Sequence, residues 1–115
     1  MSGRAVRLRR TDALARVGRL DEARGQLLDY VSGAPDDWSA VEAAADLCER
    51  TGQLRESVRL RLGMARHFAR EGAPARAAET YEAVLRIAPS DVCAAFRLAE
   101  LVAARGDHEI GRAHV

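Results

Sequence analysis

Gly18-Arg-Leu-Asp-Glu-Ala23, Gly52-Gln-Leu-Arg-Glu-Ser57 and Gly72-Ala-Pro-Ala-Arg-Ala77 are three versions of one phrase. In each, a glycine stands before a helix-forming run, and a small residue follows five positions later. Gly52 lies 34 positions after Gly18, and Gly106, followed by Asp107, lies 34 after Gly72. A second mark closes the helix that follows. Leu27-Leu28-Asp29-Tyr30 runs to Pro35, and Tyr81-Glu82-Ala83-Val84-Leu85 runs to Pro89. Glycine ends a helix because it tolerates positive φ. Ala23 or Ala77 lets two antiparallel helices approach closely, and Leu27 or Tyr81, four residues on, fills the space beside it. Proline stops the second helix, and a polar residue caps the next: Asp36 or Asp37 before Trp38, and Ser90 ahead of Phe96.

Apolar spacing between these marks predicts six helices and no sheet. The first covers about 3–17, with Ala5, Leu8 and Ala15 on its apolar side. The second covers 20–33 and carries Leu20, Ala23, Leu27 and Tyr30. The third, 37–51, carries Val41, Ala44, Ala45 and Cys48. The fifth, 74–88, carries Ala77, Ala78, Tyr81, Val84 and Leu85, and the sixth, 91–105, carries Ala95, Leu98, Ala99 and Val102. The step from Gly52 to Gly72 is much shorter than the step from Gly18 to Gly52, and cannot hold two helices and a turn. Leu54, Val58, Leu62, Ala65 and Phe68 form one stripe across it. One helix over 53–71, about 27 Å long, is expected to close one repeat and open the next, passing Gly63 without a turn.

These residues resemble the tetratricopeptide repeat family, whose helix-turn-helix unit has this 34-residue period. The resemblance covers Arg4 to Asp107 and is to bacterial members with a fused, shortened middle repeat. Ser57 and Arg61 depart from the pattern in the second copy, and the aromatic signature of the first helix is mostly lost. The resemblance implies an all-α, right-handed solenoid of antiparallel helix pairs over 1–107. It also implies a scaffold whose concave face takes a peptide or helix of a partner protein.

Composition sets further bounds. With 115 residues, 48% hydrophobic and 4% aromatic, the chain has room for one small domain with a core of aliphatics and alanine. The net charge of +1 argues neither for nor against nucleic acid. Every basic residue is arginine, and lysine and asparagine are absent; this reads as a GC-rich, bacterial coding sequence. Cys48 and Cys93 stand far apart with no CxxC spacing, which suggests neither a zinc site nor a disulfide. No apolar run approaches the roughly 20 residues of a membrane span. Residues 1–10 are Arg-rich but lack a signal peptide's apolar core; they read as a first helix whose exposed face carries arginine, with a transit peptide as the alternative. A cytoplasmic protein is expected.

The last residues read differently. Ile110-Gly-Arg-Ala-His-Val115 is the word-for-word translation of ATCGGAAGAGCACACGTC, which resembles a sequencing-library adapter. A non-native or disordered tail over 108–115 is therefore expected. It would leave the sixth helix with an exposed apolar strip, so that the chain is marginally stable or self-associates through it.

Glu42, Asp46 and Glu49 share one face of the third helix at i, i+4, i+7 spacing. They read either as a solvated face or, because first helices of such repeats line the groove, as a partner-binding face. Arg59, Arg66 and Arg70 share a side of the fourth helix. Solvation, pairing with that acidic stripe and phosphate binding are the three readings. No aromatic residues interleave to stack bases. Lysine and asparagine, which clamp a carboxylate in the chaperone-tail-binding members of the family, are missing. His67 beside Phe68 reads as a packed or surface residue. No nucleophile–base pair, metal set or cofactor motif is legible, so no enzyme, metal or cofactor is expected. The function expected is protein binding. The alternatives are a regulatory or sensory module of a larger protein, and an arginine-rich nucleic-acid binder.

Overall fold

The computed structural model of the chain describes residues 3–113, with side chains over 3–106. All regular structure among them is helical. Six helices follow in order: α1 (Gly3–Arg16), α2 (Leu20–Gly33), α3 (Trp38–Arg50), α4 (Leu54–Arg70), α5 (Pro74–Ile87) and α6 (Val92–Ala113). Two compact units divide the chain, one up to Leu60 and one from Arg61 onward, so the division falls within α4.

Three turns of one design set the architecture. Gly18, Gly52 and Gly72 have φ of 81°, 78° and 75°. Each accepts the left-handed conformation that closes a helix. At the first, Gly18 N–H donates to Ala15 O (3.1 Å) and Arg19 N–H to Leu14 O (2.9 Å). Gly52 and Gln53 repeat this onto Glu49 and Cys48, and Gly72 and Ala73 onto Ala69 and Phe68. These paired bonds satisfy carbonyls that a bare helix end leaves open. Connections this short between packed helices make helical hairpins.

The buried face of unit 1 gathers Ala23, Leu27 and Val31 of α2, and Ala40, Val41, Ala44, Ala45, Leu47 and Cys48 of α3. Ala23 is wholly buried, as its place five after Gly18 predicts. α1 contributes only Thr11 to the buried set, its hydroxyl bonded to Arg7 O at 3.0 Å; Ala5, Leu8 and Ala15 are half-buried. In unit 2, Met64, Ala65 and Phe68 of α4, Ala77, Thr80, Tyr81 and Val84 of α5, and Ala94 of α6 are buried. Arg76 stacks over the Phe68 ring at 4.1 Å, tying α5 to the second half of α4.

α4 is one helix of 17 residues, and Gly63 lies inside it without a turn. Its buried residues differ from the stripe expected from spacing. Leu54 is 47% exposed, while Ser57 is fully buried. Leu60, Met64, Ala65 and Phe68 complete the buried face, and Val58 and Leu62 are half-covered. The physical reason is the turn. Ser57 follows Gly52 by five residues, as Ala23 follows Gly18, and only a small side chain fits there. Its hydroxyl donates to Glu49 Oε2 at 2.7 Å, which removes the cost of burying it.

Two further expectations are corrected. Asp91, not Ser90, caps α6: its Oδ1 accepts from Ala94 N–H at 2.8 Å. A helix starting at Val92 puts Asp91 in the capping position. Gly106 forms no fourth turn. It lies within α6, which runs to Ala113 rather than ending near 105. Interior glycine costs a helix only about 1 kcal/mol, so the residue alone does not compel a stop. The tail expected over 108–115 lies outside the described side chains.

α2 and α5 have equal lengths, and the step in sequence from Leu20 to Pro74 at their starts equals that from Trp38 to Val92 at the starts of α3 and α6. By that same step Gly18 matches Gly72, Ala23 matches Ala77, Leu27 matches Tyr81, Asp37 matches Asp91 and Ala40 matches Ala94. The four side chains of the two Ala23/Ala77 and Ala40/Ala94 pairs are all at most 2% exposed.

Candidate protein-binding groove

Unit 1 carries a groove of about 300 Å3 between α1 and α3. Leu27 of α2 forms its floor. Leu8 and Ala15 of α1 face Ala43 and Leu47 of α3 across it, and Asp12, Asp46 and Arg50 supply its charge. The sequence builds this locally. Leu8, Thr11, Asp12 and Ala15 recur at three- and four-residue steps and so share one helix face. Ser39, Ala43, Asp46 and Arg50 do the same on α3. Small residues at Ala15 and Ala43 leave the space open. Each wall has its own ion pair, Asp12 with Arg16 at 2.7 Å and Asp46 with Arg50 at 3.9 Å. Both are exposed, so they shape the local field more than they stabilise the fold.

A polar cluster fixes the N-terminal turn of α3 beside the groove. Arg4 Nε donates to Asp37 Oδ2 at 2.6 Å and Arg4 Nη2 to Oδ1 at 3.2 Å. Tyr30 OH donates to Oδ2 at 2.7 Å, and Ala40 N–H to Oδ1 at 3.4 Å. One carboxylate thus joins α1, α2 and the start of α3. The Arg4 and Tyr30 hydrogen bonds hold the Asp37 carboxyl down at about 2. The same bond to Asp37 pushes the Tyr30 phenol up.

The six residues picked out from spacing fall in different places. Asp46 lines the groove. Glu42 is exposed on α3 outside that lining, and Glu49 turns to Ser57. Arg59 is held by Glu56 on its own helix, through Nε–Oε2 at 3.1 Å and a second bond from Nη2 to Oε1. That pairing draws the Glu56 carboxyl below its usual range. Arg66 and Arg70 are exposed on the second half of α4, within unit 2. His67 is half-buried, its ring 5.6 Å from that of Phe68. Spacing along one helix did not reveal the groove positions of Asp12 and Ala15 or the Arg4–Tyr30–Asp37 cluster, because the residues they face are on other helices. The capping position of Asp37 was the single local signal.

Among the described residues, no group of three or more His, Cys, Asp or Glu side chains is placed to hold a metal ion. No helix among them is long and apolar enough to cross a membrane. No protein-family model and no curated protein sequence matches the chain.

Proposed function

We propose that this chain is a tetratricopeptide-type module, a right-handed solenoid of helix pairs, that binds a segment of another protein in the α1/α3 groove of unit 1. It acts as a cytoplasmic interaction scaffold rather than as an enzyme. The observation that carries the reading is the groove itself: an apolar floor at Leu27, small residues at Ala15 and Ala43, and a rim of Asp12, Asp46 and Arg50. An apolar channel with a few charges at its edge suits a peptide or helix, whose anchors enter the channel while its polar face stays wet. Three glycine turns of one design, at Gly18, Gly52 and Gly72, support the family reading.

Panning a phage-displayed peptide library on the immobilised chain tests this. Selected peptides are expected to lose about tenfold or more in affinity for Ala43→Arg. Ala43 is exposed on a helix, so arginine fills the groove without disturbing the core. Peptides that bind Ala43→Arg and the parent equally place the binding site elsewhere and overturn the proposal.

A further inference from the structure

The residue-by-residue correspondence between the units identifies a second groove and suggests what fills it. In unit 1, the first turns of α4 lie beside Glu49 and Cys48 of α3. Ser57 is fully buried there and bonded to Glu49, and Glu56 and Arg59 lie close enough to Cys48 to affect its thiol. Cys48 is consequently 0% exposed. In unit 2 the residue matching Cys48 is Val102, with Leu101 next to it in the sequence. Val102 is 60% exposed and Leu101 half-exposed. Together with Pro74, Ala75 and Ala78 of α5 they form a groove of about 480 Å3. Glu82 and Arg105 also line it.

We propose that this α5/α6 groove docks an amphipathic helix of a partner protein, seated as α4 is seated in unit 1. Its chemistry follows from what changes between the two grooves. Arg24, which lies near Cys48, becomes Ala78; Glu49, which holds the Ser57 hydroxyl, becomes Ala103. Among the described residues, the centre of the second groove therefore has no side-chain acceptor in the place of Glu49 and no arginine in the place of Arg24. The docked helix carries alanine where α4 has Ser57, with aliphatic side chains on either side. Charge sets its direction. Glu82 lies about 12 Å along α5 from Pro74. The helix places a basic residue at the Glu82 end.

The probe is a synthetic peptide with the sequence of residues 52–66, compared with its Ser57→Ala form, titrated into the full-length chain by fluorescence anisotropy. The alanine peptide is expected to bind several-fold more tightly than the serine peptide. Val102→Asp and Ala78→Arg in the chain are each expected to weaken it about tenfold. Both positions lie in the open groove, and circular dichroism checks that the variants fold. Ala103→Glu restores the serine acceptor and is expected to reverse the preference between the two peptides. Absence of binding, binding indifferent to Val102→Asp, or a preference that Ala103→Glu does not move overturns the proposal. Sedimentation showing self-association that Val102→Asp abolishes also overturns it, since the occupant is then a second copy. The Ala43→Arg variant leaves this binding unchanged, so the test is separate from that of the α1/α3 groove.

Discussion

Asp37 shows how much one residue can organise. Its carboxylate caps α3 and receives Arg4 from α1 and Tyr30 from α2. Asp37→Ala is expected to cost roughly 1–2 kcal/mol, the range of a lost cap with a charged partner. The pH dependence has a definite sign. The folded carboxyl titrates at about 2, below its ordinary 3.8. Its stabilisation is therefore complete above the unfolded value and is lost as pH falls toward 2. The melting-temperature gap between the parent and Asp37→Asn should be full at neutral pH and shrink below about pH 4. A gap that does not change with pH would show that the charge has no part in it. The two cysteines give a second residue-scale contrast. Cys48 is fully buried, and burial, with Glu56 nearby, pushes its thiol up, whereas Cys93 is exposed. Iodoacetamide should add one label to the native chain, at Cys93, and two under denaturant, as read by mass spectrometry.

Helices here differ in what a glycine does for them. Gly52, at φ 78°, stops α3, and Gly52→Ala forces a side chain into the left-handed region at a cost of about 1–2 kcal/mol. Gly63 sits inside α4, and a methyl group there meets no atom within 4 Å. Gly63→Ala should stabilise the chain by up to about 1 kcal/mol. Urea unfolding of the two variants should therefore move in opposite directions. The helix crossings impose the converse constraint. Ala23 and Ala77 are both 0% exposed, and leucine at either should overpack the hairpin by roughly 1–3 kcal/mol. Unchanged stability in both would mean that the small residues are incidental to the hairpins.

At the scale of the whole molecule, α4 is shared between two compact units. A continuous helix couples the segments at its two ends through one cooperative ladder of backbone hydrogen bonds. A single urea transition is expected for the parent. Gly63→Pro removes a helix hydrogen bond and clashes with the preceding turn, a cost of about 3 kcal/mol or more. It should split the transition into two, with one half of the near-native signal lost earlier. A single transition at lower urea would show instead that the two units stand or fall together.

The sequence alone determined the helices and most of their ends. Glycine at 18, 52 and 72, the small residue five later, and proline at 35 and 89 act through local backbone geometry, which is legible in any single stretch. It also determined that α4 is one helix, because the stretch between Gly52 and Gly72 has no room for two helices and a turn. Where local choices were close in energy, the tertiary structure decided. Asp91 rather than Ser90 caps α6, and Gly106 continues a helix, since a glycine costs a helix too little to end it without a turn packed around it. The buried face of α4 rotated from Leu54 and Leu62 toward Ser57 and Leu60, because the close approach after Gly52 admits only a small group and Glu49 satisfies its hydroxyl. The groove was beyond reach for the same reason. Asp46 was visible on one helix, but its counterparts Asp12 and Ala15 belong to a helix far away in sequence, and only the packing of α1 and α3 over Leu27 brings them to one channel.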